Sequence, residues 1–310
     1  MIDLVAPVLF LGVGVALLTF SSNKTVEYST ALACNWKVPP IFIGLVLVSL
    51  GTDLPEIMNS IISSSLGQGN INVGTSLGSA FAQLTLVLGI IALFHKQFAI
   101  KRKEVFAIGA ATLLALILVF FFIEDGFISQ SDGFFLITFW VLFILIIKKV
   151  TEKEFSCPLL PKRNVSNLIM LILGFVGVAI GTYIVINSIL EIARILIISE
   201  FIVGFFIAAI GTSLPELSVT IAAIRKGQHA LAIGDIMGSS ILDASISIGI
   251  GPLLFPTLVS SGSVIATWFY TFFAILIVVL IITLRGKVDK KVGIICLSLY
   301  LFSYGLLFLS

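Results

Sequence analysis

Apolar runs of about 20 residues, the length that crosses the hydrocarbon core of a bilayer as a helix, follow one another along nearly the whole chain. Only 11% of the 310 residues are charged, whereas a soluble domain carries about a quarter. The sequence therefore predicts an all-α polytopic membrane protein. We place about ten spans, at residues 3–20, 40–65, 71–93, 104–123, 132–149, 166–190, 200–223, 230–250, 262–284 and 291–309, and a short interfacial helix within residues 21–39.

Polar segments and charge set the layout of these spans. The polar stretch 148–164 follows the fifth span, so we divide the chain into residues 1–150 and 166–310, joined by a linker at 151–165. With ten spans, 17 of the 18 basic residues fall on one side, and basic residues are retained on the cytoplasmic side. We expect an integral protein of the cell (plasma) membrane with both termini outside. No basic run suggests nucleic acid, and nothing indicates an obligate protein partner.

An internal repeat lies within the apolar runs. The hexapeptide GTDLPE at residues 51–56 returns as GTSLPE at 211–216, and an ungapped comparison of 51–89 with 211–249 gives identical residues at 12 of 39 positions. Shared hydrophobicity does not explain identities in Gly, Pro, Glu and Ser. An odd number of predicted spans separates the copies, so the second copy is inverted, as in transporters whose broken helices meet near the membrane centre.

Each hexapeptide places a proline where it interrupts a membrane helix. Pro55 has no N–H to donate to the Gly51 carbonyl, and Pro215 has none for the Gly211 carbonyl. A free carbonyl is tolerated in lipid only where protein, water or an ion satisfies it. Oxygen-bearing side chains spaced four residues apart share a helix face around the breaks and in the following spans. They are Thr52 with Glu56, Thr212 with Glu216, Ser79 with Gln83, and Ser239 with Asp243.

Four acids in these segments, Asp53, Glu56, Glu216 and Asp243, have no Lys or Arg in the same spans to neutralise them. A charge at the bilayer centre costs about 2.5–3.5 kcal/mol, so four cost on the order of 10 kcal/mol unless cations or protons compensate. An all-oxygen shell suits Ca²⁺, Mg²⁺ and Na⁺, and a flexible one suits Ca²⁺ better than Mg²⁺. Because the cluster accepts one divalent ion or several monovalent ions, competition between them provides a basis for exchange, with the ions as transported substrates and no cofactor.

These motifs resemble those of the calcium/cation antiporter superfamily, and most closely those of its Na⁺/Ca²⁺ exchanger branch. That family pairs a GTS-x-PE-like segment on one broken helix with a G-S-N-x-x-(N/D)-like segment on the next. The matches are GTDLPE with GSAFAQ at 78–83 and GTSLPE with GSSILD at 238–243, and the resemblance covers essentially the whole chain. It implies a secondary active antiporter, not an enzyme, that exchanges Ca²⁺ for Na⁺ by alternating access.

The resemblance also implies a set of ion ligands. The Ca²⁺-binding glutamates correspond to Glu56 and Glu216. The further side-chain ligands correspond to Thr52, Thr212, Ser213, Ser79, Ser239, Gln83 and Asp243, and the carbonyl ligands to Ser49 and Ala209.

Two positions depart from the family pattern: Asp53 stands where Ser is usual, and Gln83 where Asn is usual. Asp53 adds a carboxylate beside Glu56, and two close carboxylates in a low dielectric favour one of them holding a proton. H⁺-coupled cation antiport is therefore an alternative to Na⁺ coupling, unless Asp53 points away and caps the broken helix. A channel or uniporter is less favoured, because tight binding at one central site slows permeation.

Asp235, at the start of the eighth span, has two interpretations. It is either a peripheral residue of the ion site or an acid near a helix N-terminus, where the helix dipole favours it. The second interpretation is the expectation.

Overall fold

The computed structural model describes residues 2–150, 164–195, 213–259 and 261–307, and nearly all of them are helical. The helices are α1 Ile2–Trp36, α2 Pro40–Thr52, α3 Leu54–Ser65, α4 Gly69–Phe94, α5 Arg102–Ile123, α6 Gln130–Val150, α7 Asn164–Ile195, α8 Leu214–Arg225, α9 His229–Leu254, α10 Ser261–Arg285 and α11 Lys290–Leu307. Four two-residue strands lie in the connections: β1 Phe98–Ala99, β2 Phe127–Ile128, β3 Thr257–Leu258 and β4 Lys287–Val288.

Helix length and composition match those of a membrane protein. Within the described ranges, seven helices are long and apolar enough to cross a bilayer, and α2 with α3, bent by 49° at a short break, makes an eighth. This confirms the all-α membrane fold. The count of ten remains a prediction, because residues 196–212, with most of the predicted span 200–223, lie outside the described residues. The division at a linker of residues 151–165 also remains a prediction.

The interfacial helix predicted within residues 21–39 is wrong. α1 continues unbroken to Trp36, a length of about 50 Å at 1.5 Å per residue, and its Ser21 and Thr25 side chains are buried. They are buried because α7 packs closely against α1 through glycines. A Cβ built on Gly174 would lie 2.6 Å from the Thr25 hydroxyl, and one on Gly177 would meet the Ser21 hydroxyl.

α1 and α7 run antiparallel to each other. Their contacts pair ascending residues of α1 with descending residues of α7: Gly14 with Val185, Leu18 with Gly181, Ser21 with Gly177, and Thr25 with Gly174. Small residues at such contacts let membrane helices approach closely. α1 begins the first predicted half and α7 begins the second. In inverted halves such corresponding helices run in opposite directions, as these two do.

Equivalent elements recur 160 residues apart. α3 and α8 each have 12 residues, and each is followed by a left-handed glycine, Gly67 or Gly227, with φ +71°. The N–H of each glycine bonds to the carbonyl three residues back, and the next N–H to the carbonyl five residues back, a capping pattern that turns the chain. The helices that follow, α4 and α9, contain π-helical turns at corresponding positions, Gln83–Val87 and Asp243–Ser247.

Two short antiparallel ladders connect the halves. β1 pairs with β4, and β2 pairs with β3. Beside the first ladder, Phe98 stacks on His229 with ring centroids 4.6 Å apart, and the Arg102 guanidinium donates to the Arg285 carbonyl at 3.4 Å. The β1–β4 ladder joins two loops that the ten-span layout places on one side of the membrane. The β2–β3 ladder joins two loops that the layout places on the other side.

Candidate cation-binding site

The break between α2 and α3 falls on Asp53. Asp53 leaves the helical conformation (φ −86°, ψ 10°), and Pro55 follows in the first turn of α3. Ser213 has nearly the same conformation (φ −93°, ψ 6°) before α8, whose first turn contains Pro215. The Asp53 side chain makes no capping bond to α3, which contradicts the interpretation of Asp53 as a helix cap.

Three carboxylates meet at these breaks. Asp53, Glu56 and Glu216 each place an oxygen within 4.8 Å of the other two. Asp53 and Glu216 are fully buried, and Glu56 is 8% exposed. Glu56 and Glu216 lie in the first turns of α3 and α8, where unpaired N–H groups favour a carboxylate. An acid from each copy of the repeat is thereby brought to one place.

Asp243 contributes a fourth buried carboxylate. It begins the π-helical turn of α9, is fully buried, and its charge interacts with those of Asp53 and Glu56. Gln83, also buried, begins the corresponding turn of α4. π-helical turns inside α-helices are frequent at functional sites, and these two begin at predicted ligand positions. A third, Gly44–Val48 in α2, ends directly before Ser49.

Many oxygens of this cluster lack protein donors. Among the described residues, no hydrogen bond of good geometry reaches either carboxylate oxygen of Asp53, Glu216 or Asp243. The same holds for the buried Gln83 Oε1 and the Ser213 and Ser239 hydroxyls. In that part of the chain, none of the ion pairs includes the clustered acids. Because buried polar groups are normally paired, these oxygens have the character of a ligand shell for hard cations.

Ser49 and Thr52 are buried, but their hydroxyls turn back onto α2. Thr52 donates to the Val48 carbonyl at 3.2 Å, and Ser49 donates to the Leu45 carbonyl at 2.6 Å. The Ser49 carbonyl, a predicted ligand, accepts from the Asp53 N–H at 2.9 Å and from the Thr52 hydroxyl at 3.3 Å. The Thr52 hydroxyl has one proton, which it shares between the Val48 and Ser49 carbonyls. The Asp53 N–H therefore engages one lone pair of the Ser49 carbonyl, and the second is left for an ion.

Close packing of α2 on α9 holds the cluster together. A Cβ built on Gly238 would lie 2.6 Å from the Leu45 Cα, and one on Gly44 would meet the Leu231 carbonyl oxygen. Since these neighbours are backbone atoms, only glycine permits the approach. Gly238 directly precedes Ser239, so this contact fixes where the Ser239 hydroxyl enters the cluster.

Two of the predicted hydroxyl ligands lie beside acids of the cluster. Ser79 lies beside Glu56, and Ser239 lies beside Asp53. Ala209 and Thr212 lie outside the described residues, so their positions stay predictions, as do the ligand roles of the whole set.

Asp235 is placed differently from the expectation. It is the seventh residue of α9, beyond the first turn, and is fully buried. Thr220 donates to its Oδ2 at 2.8 Å, and its charge interacts with that of Asp53. The interpretation as an acid at a helix N-terminus is therefore wrong. Asp235 lies beyond the first turn of α9, in a part of the helix that α8 covers.

Sequence reasoning missed two polar residues next to the acids. Thr220 contacts Asp235, and Ser247 lies beside Asp243. Each stands four residues after a predicted ligand, Glu216 and Asp243 respectively, so the face-sharing rule used for the other pairs would have identified both.

Fold and site together define the class of membrane cation antiporters. A family model described as sodium/calcium exchanger protein matches residues 6–149 and 166–309. The inner membrane protein YrbG of Escherichia coli (strain K12) is 33% identical over 259 residues, which cover 79% of this chain and 78% of that protein. The putative antiporter CaxA of Alkalimonas amylolytica is 28% identical over 317 residues, covering 97% of this chain and 98% of that protein.

Solved structures show the same likeness. A structure of the sodium-calcium exchanger NCX_Mj, soaked with zero Na⁺ and Ca²⁺, aligns with a TM-score of 0.83 at 28% identity, over 98% of this chain and 99% of that chain. The chain belongs to the sodium/calcium exchanger protein family, whose members are transporters and not enzymes.

Proposed function

We propose that this chain exchanges Ca²⁺ for Na⁺ across the cell membrane, by alternating access to the carboxylate cluster. The exchangers and antiporters among its relatives support antiport of cations. The observation that carries the proposal is the meeting of three carboxylates, drawn from both copies of the repeat, within 4.8 Å. In this proposal both termini lie outside and the loops rich in Lys and Arg face the cytoplasm.

The cluster requires positive charge. Two like charges about 5 Å apart repel by about 3 kcal/mol at an effective dielectric of about 20, and three buried carboxylates form three such pairs. One Ca²⁺ or two or more Na⁺ would relieve this repulsion. The four acids together hold eight carboxylate oxygens, and Ca²⁺ takes about six to eight oxygen ligands.

Shared ligands make the two kinds of occupancy exclusive. Glu56 and Glu216 bind whichever cations are present, while Asp53, Asp243, Gln83 and the hydroxyls of Ser79, Ser213 and Ser239 complete the shell. A bundle with uncompensated charges in the membrane interior is costly, so the change that exposes the cluster to the opposite side proceeds with cations bound. Because the empty cluster does not change sides, one cation leaves only when another replaces it, and the result is exchange rather than a leak of ions.

Asp53 favours a second candidate, proton-coupled cation antiport. Its carboxylate lies inside the cluster rather than away from it, and two carboxylates so close together favour one holding a proton. Protons then replace some or all of the Na⁺ as the coupling ion at the same site.

Transport into proteoliposomes tests the proposal. Uptake of ⁴⁵Ca²⁺ should require an outward-directed Na⁺ gradient and should stop when that gradient is collapsed. Uptake that needs no gradient of another cation would indicate a channel or uniporter. Uptake driven by a proton gradient, with Na⁺ absent, would replace Na⁺ coupling by proton coupling.

Variants at the two glutamates tie transport to the cluster. Glu56→Gln and Glu216→Gln should each reduce gradient-driven uptake at least about 30-fold, since removing one partner of a buried charged contact costs about 2–5 kcal/mol. Glu124→Gln, at an exposed acid in the loop after α5, is the matched control and should transport like the natural chain. Uptake retained by both cluster variants would contradict the proposal.

A further inference from the structure

α8 and α9 form an antiparallel hairpin that turns at Gly227. Thr220 on α8 donates to Asp235 on α9 at 2.8 Å, so these two positions face each other. Four residues make about one helical turn. One turn farther from Gly227, the facing positions are therefore Glu216 and Ser239. The Thr220–Asp235 pair directly adjoins the carboxylate cluster.

Asp235 lacks a partner for one of its oxygens. The side chain is 1% exposed, and Oδ2 accepts from Thr220, which is also buried. Oδ1 has no hydrogen-bond partner in the described part of the chain, and no ion pair formed there includes Asp235. A protonated carboxyl would carry its proton on Oδ1 and would need an acceptor there. A charged carboxyl would need a cation, so either state calls for a ligand from outside the described protein.

The polar neighbours of the pair lie on the side of the cluster. On the side of the hairpin turn, the next facing positions hold Ile224 and Leu231, both buried and apolar. On the other side lie Glu216 and the Ser239 hydroxyl, which is itself buried without a hydrogen-bond partner among the described residues. Within this hairpin, the oxygens that could pass a cation to Asp235 are therefore those on the cluster side.

The first copy of the repeat has no equivalent of this pair. Thr75 occupies the position corresponding to Asp235, is exposed, and accepts from the Asn59 amide at 2.8 Å. Ser60, which corresponds to Thr220, accepts from the Gly251 N–H at 3.0 Å. The symmetry of the fold therefore does not require an acid at residue 235.

We propose that Asp235 and Thr220 form a further binding position for one Na⁺, beside the central cluster. One carboxylate and one hydroxyl provide fewer oxygens than the six to eight, roughly, that Ca²⁺ takes, whereas a single carboxylate balances a monovalent cation. The proposal rests on the Na⁺-coupled function and deepens it: the pair adds one Na⁺ to those held by Asp53, Glu56, Glu216 and Asp243.

Equilibrium binding of ²²Na⁺ and ⁴⁵Ca²⁺ to the purified protein tests this position. Asp235→Asn removes the charge but keeps an oxygen that accepts from Thr220, so packing of α8 on α9 is preserved. It should bind one Na⁺ fewer per chain than the natural protein, while the Kd for ⁴⁵Ca²⁺ changes by less than about threefold. A role limited to packing would leave the Na⁺ count unchanged.

A second variant decides the question if Asp235→Asn does not fold. Thr220→Val removes the hydroxyl and should raise the Na⁺ concentration needed to fill this position. Thr112→Val is the matched control, because it removes a buried hydroxyl of α5 that, among the described residues, bonds within its own helix alone, to the Ile108 carbonyl at 3.1 Å. It should bind Na⁺ like the natural chain.

Three results would overturn the proposal: an unchanged Na⁺ count in Asp235→Asn, joint loss of ⁴⁵Ca²⁺ and Na⁺ binding in that variant, or unchanged Na⁺ binding in Thr220→Val. These readouts are separate from transport. Absence of Na⁺-driven Ca²⁺ uptake by the natural chain would refute the proposed function, while the Na⁺ count would still decide whether Asp235 binds an ion.

Discussion

At the scale of single residues, Asp53 and Ser213 occupy corresponding positions with nearly the same backbone conformation. A serine is therefore compatible with the break, and the Asp53 carboxylate is not needed to form it. What Asp53 contributes is charge, because its carboxylate interacts with those of Glu56, Glu216 and Asp235. We therefore expect its effect to be on ion coupling rather than on folding.

Replacing Asp53 by Ser should change coupling and spare the fold. Protons compete with cations for carboxylates, so a cluster with one acid fewer should give ⁴⁵Ca²⁺ uptake that depends less steeply on pH between about pH 6 and pH 8. The Na⁺ dependence of uptake should change as well. Asp53→Asn, which keeps the size of the side chain, should behave like Asp53→Ser if charge is the cause. Unchanged pH and Na⁺ dependence in both variants would reject this role.

The acids of the cluster were predictable from sequence because local chemistry marks them. A proline and an unpaired carboxylate inside an apolar run are costly unless they serve a site, and the repeat doubled that signal at Glu56 and Glu216. Asp235 carried a weaker signal. It stands four residues before Ser239, on the same helix face, and the sequence left a peripheral place in the ion site as one of its two interpretations. Its burial depends on α8 lying against α9 and on Thr220 facing it, which are tertiary contacts that no local pattern shows.

At the scale of elements, glycines set the distance between helices around the site. Gly238 of α9 lies against the backbone of α2 at Leu45. Gly44 of α2 in turn lies against the backbone of α9 at Leu231. The break at Asp53 was predicted from Pro55. The continuity of α1 to Trp36 was not, because its polar side chains are buried only where Gly174 and Gly177 let α7 approach.

Gly238→Ala should destabilise the bundle. The new Cβ would lie 2.6 Å from the Leu45 Cα and carbonyl oxygen, and because backbone atoms cannot rotate away, the overpacking should cost about 1–3 kcal/mol. The measurement is the Tm of the purified protein in detergent. Gly12→Ala is the matched control, since a Cβ there meets nothing within 4 Å, and its Tm should equal or exceed that of the natural chain. Equal Tm values for the two variants would show that the close approach does not limit stability.

At the scale of the whole molecule, the two ladders and the antiparallel α1–α7 pair all join the first predicted half of the chain to the second. Each ladder takes one strand from each predicted half. The two halves are therefore hydrogen-bonded to each other at both ends of the bundle. The described basic loops meet at one end, where Lys287 donates to the Gln97 side chain at 3.1 Å and Lys226 to the Asn23 carbonyl. Because basic residues are retained on the cytoplasmic side, we expect this end to be the inner one.

Labelling of introduced cysteines tests that orientation. A membrane-impermeant maleimide should label Asp125→Cys, in the exposed loop beside β2, in intact cells. It should label Lys96→Cys, in the exposed loop before β1, only after the membrane is permeabilised. The natural chain, treated in parallel, accounts for its own cysteines. The opposite pattern would invert the topology and place both termini in the cytoplasm.

The most direct test is the stoichiometry of Ca²⁺ binding by isothermal titration of the natural chain, Glu56→Gln, Glu216→Gln and the double variant. If Glu56 and Glu216 are ligands of one shared site, the natural chain binds one Ca²⁺ between them. Each single variant then loses this bound Ca²⁺ as fully as the double variant does. If each single variant instead keeps a Ca²⁺ at natural affinity and only the double variant loses binding, the glutamates serve separate sites. The shared cluster would then not be the centre of transport.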